Sequence, residues 1–352
     1  MIVIAAVGCS AGPSGPDRRA QLVHDLADVV YLPILRELPP QTAELVARSE
    51  ALCAEPTQAT LDAARQAWRA ARAPYKRSEA FRFGPVADLR VAGAIDFWPA
   101  RSADIEDELA QTAPITETYV GGLGSTRKGL PVLEYLLFGE LERLHDGGSA
   151  MRACDYVVEL ARDVDRRARE LVAAWEPSGG DFRGKLIDPG SGGSPYAKLS
   201  DAVAEAANGL FAILEELEAA KLAKPLGHVD GGIPQPEAVE SSLADNGAAD
   251  MAANLAGARA VYTTEYGGAT GMSFSQAVAD LDAQLDADVR AKFDTCAAAF
   301  QAMGRPLADA VVNDPAGVEA AFTCAKELYT LFVADVAGAL GVTPTIGDVD
   351  GD

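Results

Sequence analysis

Histidine is scarce in this chain: the 352 residues hold three, at His24, His145 and His228, well separated in sequence. No His-Glu-x-x-His occurs, so a histidine-rich zinc site is disfavoured by count alone. No nucleophile–histidine–carboxylate triad is visible, and no Gly-rich strand-turn-helix fingerprint points to a nucleotide. Positive charge is also short. Thirty Lys and Arg face 52 Asp and Glu, a formal net charge of −22, which argues against a nucleic-acid partner. Beyond the N-terminus no apolar run approaches the ~20 residues of a membrane span. Aromatics are only 7%, and alanine is abundant, which favours helices packed closely through small side chains. Hydrophobic residues still make up 49%, ample for buried cores, and the length suits two domains.

What is present reads almost wholly as helix. Amphipathic or apolar helical patterns cover Arg18 to Tyr31, Ile34 to Cys53 with a break at Pro39 and Pro40, and Thr57 to Ala73 behind a Thr57 or Thr60 cap. They resume at 103–111, 125–138 and 149–175, then at 197–222, 248–266, 273–281, 286–303 and 315–340. Residues 83–101 and 225–245 read as loops, and Gly267-Gly268 reads as a helix stop. No run alternates with period two. The expected fold class is all-α, two packed up-and-down helical bundles with long Gly/Pro-rich loops. The expected organisation is a tether over 1–17, an N-terminal bundle over 18–176, a linker loop over 177–195 and a C-terminal bundle over 196–352. The halves look alike in helical content but show no sequence repeat.

The first ten residues, MIVIAAVGCS, form a short apolar run ending in small residues and a cysteine. Ala6-Val7-Gly8-Cys9 has the form of a lipobox, with Cys9 as the lipidated residue and Ser10–Asp17 as the tether. The basic n-region of such a signal is missing, so a plain apolar tail is the alternative reading. Export would permit disulfides. Cys296 and Cys324 are equidistant from residue 310, the middle of a helix–helix connection, and are expected to pair. Cys53 closes an early helix and Cys154 opens a later one, and these are expected to pair as well. Four buried free thiols are the alternative.

Several places mix chemistry with apolar surroundings. In 128–139 (KGLPVLEYLLFG) Pro131 suits a first helical turn, Leu130, Leu133, Leu137 and Phe138 share a face, and Glu134 lies beside that stripe. A carboxylate there needs a partner. Trp68, Arg72, Tyr75 and Glu79 fall on one helical face, with Pro74 as an expected kink; the plain reading of Lys76 and Glu79 is an exposed i,i+3 pair. Asp96 and Trp98 lie in the loop Ala94-Ile95-Asp96-Phe97-Trp98-Pro99, as acceptor and stacking surface of a pocket wall, or as a locally hydrogen-bonded Asp. Arg259, Tyr262 and Tyr266 share a face suited to an anion, and Arg259 is a candidate salt-bridge partner for Glu134. Lys221 and Lys224 bring positive charge to a Gly/Pro loop. The candidate binding residues are therefore Glu134, Asp96, Trp98, Glu79, Arg259 and Tyr262.

Together these segments resemble the imelysin-like family, the peptidase M75 grouping. The resemblance is carried by Ala67-Trp68-Arg69, by 79–85 (EAFRFGP), by 95–99 (IDFWP) and by 129–138. It continues in Lys224-Pro225-Leu226-Gly227 and in Asn254 through Tyr262. It implies two helical bundles with a site at their interface, residence in the bacterial envelope facing the periplasm, and a link to iron acquisition, with uptake proteins of the envelope as partners. The family signature reads Gly-x-His-x-x-Glu. Here Gly129 and Glu134 match and Pro131 stands at the histidine. Proline offers no donor or acceptor, so metal-dependent proteolysis is disfavoured. Glu134 with Glu79 and Asp96 would be an all-oxygen set, suited to iron or another hard cation, with Glu134 as its metal ligand. The expectation is a non-catalytic ligand- or metal-binding accessory protein; the alternatives are an M75-like peptidase and a structural envelope protein.

Overall fold

A computed structural model describes residues 15–139 and 147–345. Cys9 and His145 lie outside these residues. The regular elements of the described residues are helices, apart from one two-stranded hairpin, so the all-α expectation holds. The main helices are α1 (Gly15–Asp25), α2 (Leu38–Ala54), α3 (Gln58–Ser78), α4 (Leu130–Leu137), α5 (Gly147–Trp175), α6 (Leu199–Glu218), α7 (Gly247–Thr263), α8 (Ala283–Ala302) and α9 (Ala316–Leu331). Among the described residues no helix is long and apolar enough to cross a membrane.

Local chemistry sets these boundaries. The expected break at Pro39 and Pro40 is present: a short helix, Leu32–Arg36, ends at Glu37, and the prolines occupy the first turn of α2, where the missing N–H costs nothing. Thr57 and Thr60 cap α3 reciprocally, each hydroxyl accepting from the other's backbone N–H at 3.2 and 3.0 Å. The α3 helix continues through Pro74 to Ser78 and hands over to a 3-10 turn, Glu79–Phe81. The α7 helix ends on Thr264 in the left-handed region, and Gly267 and Gly268 form the turn of the Glu265–Tyr266/Ala269–Thr270 hairpin rather than a helix stop. Both glycines have positive φ, the conformation a two-residue hairpin turn demands.

Two stretches expected as loops carry short helices. Pro85–Asp88 and Val91–Ile95 interrupt 83–101. Phe182–Ile187 interrupts the proposed linker, because the Asp181 carboxylate caps Gly184 N–H at 3.0 Å and Phe182 buries against Trp175, ring centres 4.8 Å apart. That segment is packed structure, not a free connection.

The apolar core is one cluster running from Leu22 to Ala337, with members from both halves of the chain. The α2 helix packs on α3 and α5, α8 packs on α9, and α1 crosses to α6. The two halves meet most intimately where α3 packs on α7. A Cβ on Gly257 would lie 2.2 Å from the Arg77 carbonyl oxygen, so the backbones touch there and only glycine fits. Two disulfides pin the assembly. Cys53–Cys154 joins α2 to α5 and Cys296–Cys324 joins α8 to α9, each with Cα atoms 5.4 Å apart, and both pairings are those expected.

Candidate functional site

The contact between α3 and α7 is not apolar throughout. Arg72 and Lys76 sit one turn apart on α3, both fully buried, and project into the seam between the halves. The Arg72 guanidinium donates to Asp96 at 2.7 Å, Asp250 at 2.9 Å and Glu240 at 3.1 Å, and its Cζ lies 5.0 Å from the centre of the Trp68 ring. The Lys76 ammonium meets Asp96 at 2.6 Å and Glu79 at 3.2 Å, and makes a close contact with Glu240. From the second half, Lys221 reaches Glu240 at 2.6 Å and Glu216 at 3.2 Å. Lys221 lies on a π-helical turn, Ala219–Ala223, whose widened register follows directly on α6.

Neutral groups complete the network. Asp250 accepts from Ser241 at 2.6 Å and Asn246 at 2.8 Å, and Glu79 accepts from Asn254 at 2.7 Å. Three cations thus face four carboxylates, Asp96, Asp250, Glu240 and Glu79, none of these side chains more than 5% exposed, with the more exposed Glu216 at the rim beside Lys221. Burial alone would raise the Glu240 carboxyl, but Lys221, Lys76 and Arg72 outweigh it and hold it well below the usual range. Against the same burial, Lys76, Lys221 and Arg82 bring Glu79 down to about 2. Asp250 goes the other way: burial dominates and raises it.

Glu134 stands at the edge of this network. Gly129, at φ +87°, lets the chain pass within contact of the Ile95 carbonyl, where a Cβ would sit 2.5 Å from that oxygen. Pro131 then starts α4, and Trp68 Nε1 donates to the Leu130 carbonyl at 2.9 Å. Glu134 is thereby directed at the segment 239–246, where its Oε1 accepts from Ala244 N–H at 2.9 Å. Burial pushes its pKa up to about 7, opposed by that N–H and by Arg72 and reinforced by Asp250 and Glu240. On the other side Arg69 donates to the Ala244 carbonyl at 2.9 Å, so one residue of the segment is gripped at both polar groups. Ser241 and Asp245 flank the grip with φ of 52° and 48°, conformations that cost non-glycine residues free energy.

The expected residues are thus only partly brought together. Glu79 and Asp96 share Lys76 inside the network, and Glu134 borders it. Arg259 does not meet Glu134: it is exposed on the outer face of α7 and pairs with Asp294 on α8. Tyr262 also points elsewhere, donating to Asp286 at 2.9 Å beside Ser275 and Arg290. Trp98 is half-buried, and among the described ring contacts none places it over a site side chain. The Lys76–Glu79 pair is buried rather than exposed, because Asp96 and Glu240 close over it. Glu240 and Asp250 were not anticipated. Asp250 carries the signal that singled out Glu134, a lone carboxylate in an apolar helical run.

A metal centre of the kind the signature implies does not fit these side chains. Pro131 supplies no donor, Glu79 and Asp96 are already neutralised by Lys76 and Arg72, and Glu134 is committed to a backbone amide. Among the described residues no three His, Cys, Asp or Glu side chains are grouped to hold an ion. The all-oxygen set of Glu134, Glu79 and Asp96 is therefore replaced by an ion-pair network.

Fold and site together define a class of helical protein whose two halves close over a shared polar centre beside a Gly-x-x-x-x-Glu helix. The family model "Peptidase_M75: Imelysin" matches residues 32–332, and the chain belongs to the imelysin family. It is 30% identical over 244 residues to Iron-regulated protein A of Synechococcus elongatus. That match covers 69% of this chain and 64% of the relative, so the chain spans less than two thirds of that protein's length. The fold is shared with a candidate iron-regulated protein A precursor of Parabacteroides distasonis ATCC 8503 (TM-score 0.79, 21% identity, 94% of this chain and 96% of that one). It is shared also with an imelysin-like protein of Psychrobacter arcticum 273-4 (TM-score 0.76, 16% identity, 97% and 100%).

Proposed function

We propose that this imelysin-family chain is an iron-related accessory protein of the bacterial cell envelope that binds a ligand and does not cleave peptides. The observation that carries the reading is the state of the signature helix. Its histidine position is Pro131, and the carboxylates nearest to it are spent on Arg72, Lys76 and a backbone amide. Such a centre holds two halves of a molecule in register, which argues against an open metal position at the signature helix. The iron link rests on the kinship with Iron-regulated protein A. Two disulfides suit an oxidising compartment outside the cytoplasm, and Cys9 would be the lipid-bearing residue there.

Elemental analysis of protein purified from an envelope fraction, with a chelator-treated peptide-cleavage panel alongside, tests the reading. The expected result is no cleavage and no stoichiometric metal that depends on Glu134. Chelator-sensitive cleavage lost in Glu134→Ala would restore the peptidase.

A further inference from the structure

In this strongly acidic chain, three arginines gather on one surface beside Glu134. Arg65 and Arg69 lie one turn apart on α3, and both guanidinium groups lie against the Phe138 ring, 5.4 and 4.7 Å from its centre. Arg305 comes from the distant connection between α8 and α9 and pairs loosely with Asp245, next to the residue Arg69 grips. Partial burial, and then the like charges of Arg65 and Arg305, lower the Arg69 pKa, against Asp245 and Glu134.

Backbone oxygens, not carboxylates, hold two of the three heads. Arg65 donates to the Leu137 and Gly139 carbonyls at 2.7 and 3.2 Å, and Arg69 to that of Ala244 at 2.9 Å. The nearest described carboxylates are long for saturated pairs, Asp62 at 3.5 Å from Arg65 and Asp245 at 3.8 Å from Arg305. Like charges kept together in this way repel each other, and an anion laid across them relieves that repulsion. Arg65 and Arg69 are anchored on different carbonyls and Arg305 pairs loosely with Asp245, an arrangement that favours several separate carboxylates over one compact group such as phosphate. The three heads can meet separate carboxylates, each through the planar fork of a guanidinium.

We propose that Arg65 and Arg69, set against the Phe138 ring, and Arg305, beside them at Asp245, form a surface site for a small polycarboxylate anion. The site deepens the binding function proposed above, and rests on it only for the link to iron: a ferric chelate of a polycarboxylate is itself such an anion.

Isothermal titration of the full chain with citrate, ferric citrate and inorganic phosphate, at low and at physiological salt, tests the assignment. Citrate should bind saturably at one site, weakening with salt. Arg69→Gln should weaken it about tenfold and Arg305→Gln several-fold, while Arg259→Gln, an exposed arginine on another face, should leave it unchanged. Arg69→Gln also loses the bond to Ala244, so its fold is checked by circular dichroism; Arg305→Gln tests the site independently. No binding of citrate by the unaltered chain, or an equal loss in Arg259→Gln, overturns the site. Phosphate binding tighter than citrate overturns the assignment to carboxylates. Citrate and ferric citrate binding alike supports the anion site while counting against the iron link.

Discussion

Replacing Glu134 by Gln should stabilise the protein, and only above mildly acidic pH. The carboxyl is buried, and its pKa stands at about 7 against an ordinary 4.5. A group raised in the folded state adds stability that is complete below its unfolded value and is lost as pH rises through the folded one. From pH 4.5 to pH 7 the fold therefore loses about 3 kcal/mol through this one ionisation, and above pH 7 the loss stays constant. Glutamine keeps the oxygen that accepts from Ala244 and removes the ionisation, at the cost of one more N–H pair to satisfy. The net gain at pH 8 should be about 1 to 3 kcal/mol. Urea unfolding of both proteins at a series of pH values gives the comparison. Their difference should be small at pH 4.5, rise towards pH 7 and then level off; titrations elsewhere cancel. A flat difference, or a variant less stable at pH 8 than the parent, would refute the argument that burial dominates at this carboxyl.

The ion-pair network makes its own demands. Lys76→Met leaves Asp96, Glu79 and Glu240 facing one another with a cation missing and should cost about 3–5 kcal/mol in urea unfolding, partly recovered by adding Glu240→Gln. Gly257→Ala forces a Cβ onto the Arg77 carbonyl and should lower the melting temperature by an amount matching about 1–3 kcal/mol; an unchanged melting point would mean the helices are not in backbone contact. Non-reducing peptide maps should contain the Cys296–Cys324 crosslink, and removing both cysteines should cost about 3 kcal/mol, given a separation of 28 residues. Arg259→Ala and Glu134→Ala should be additive within about 0.5 kcal/mol in a double-mutant cycle, since Arg259 pairs with Asp294 instead.

Much of the architecture was legible in the chain. Helical periodicity, caps and prolines are local signals, and they located most helices and both disulfides. The misread places are those where one local pattern serves two geometries. Gly267-Gly268 is as good a hairpin turn as a helix stop, and Lys76 with Glu79 looks like a surface pair until distant residues bury it. Those distant residues are the reason the site was only half visible. Glu134 and Asp250 stand out within their own helices, but no local pattern says that Glu240 reaches Lys76 from 164 positions away. Arg259 failed for the converse reason: the helix it shares with Tyr262 stops at Thr263, leaving Tyr266 on the hairpin, and which neighbour Arg259 meets is decided by the packing of α8.

The membership of the network also bears on how the molecule could be divided. Arg72, Lys76, Glu79 and Asp96 come from before the 177–195 stretch, and Lys221, Glu240 and Asp250 from after it. A chain severed in that stretch would yield two pieces, one exposing Arg72 and Lys76 beside Glu79 and Asp96, the other Glu240 and Asp250 with Lys221, and the pairs of Arg72 and Lys76 with Glu240 and Asp250 would form only on reassembly. Such pieces would have a built-in recognition code. Reassembly would be selective for the matching fragment, and nicked protein would remain joined long after its backbone was cut.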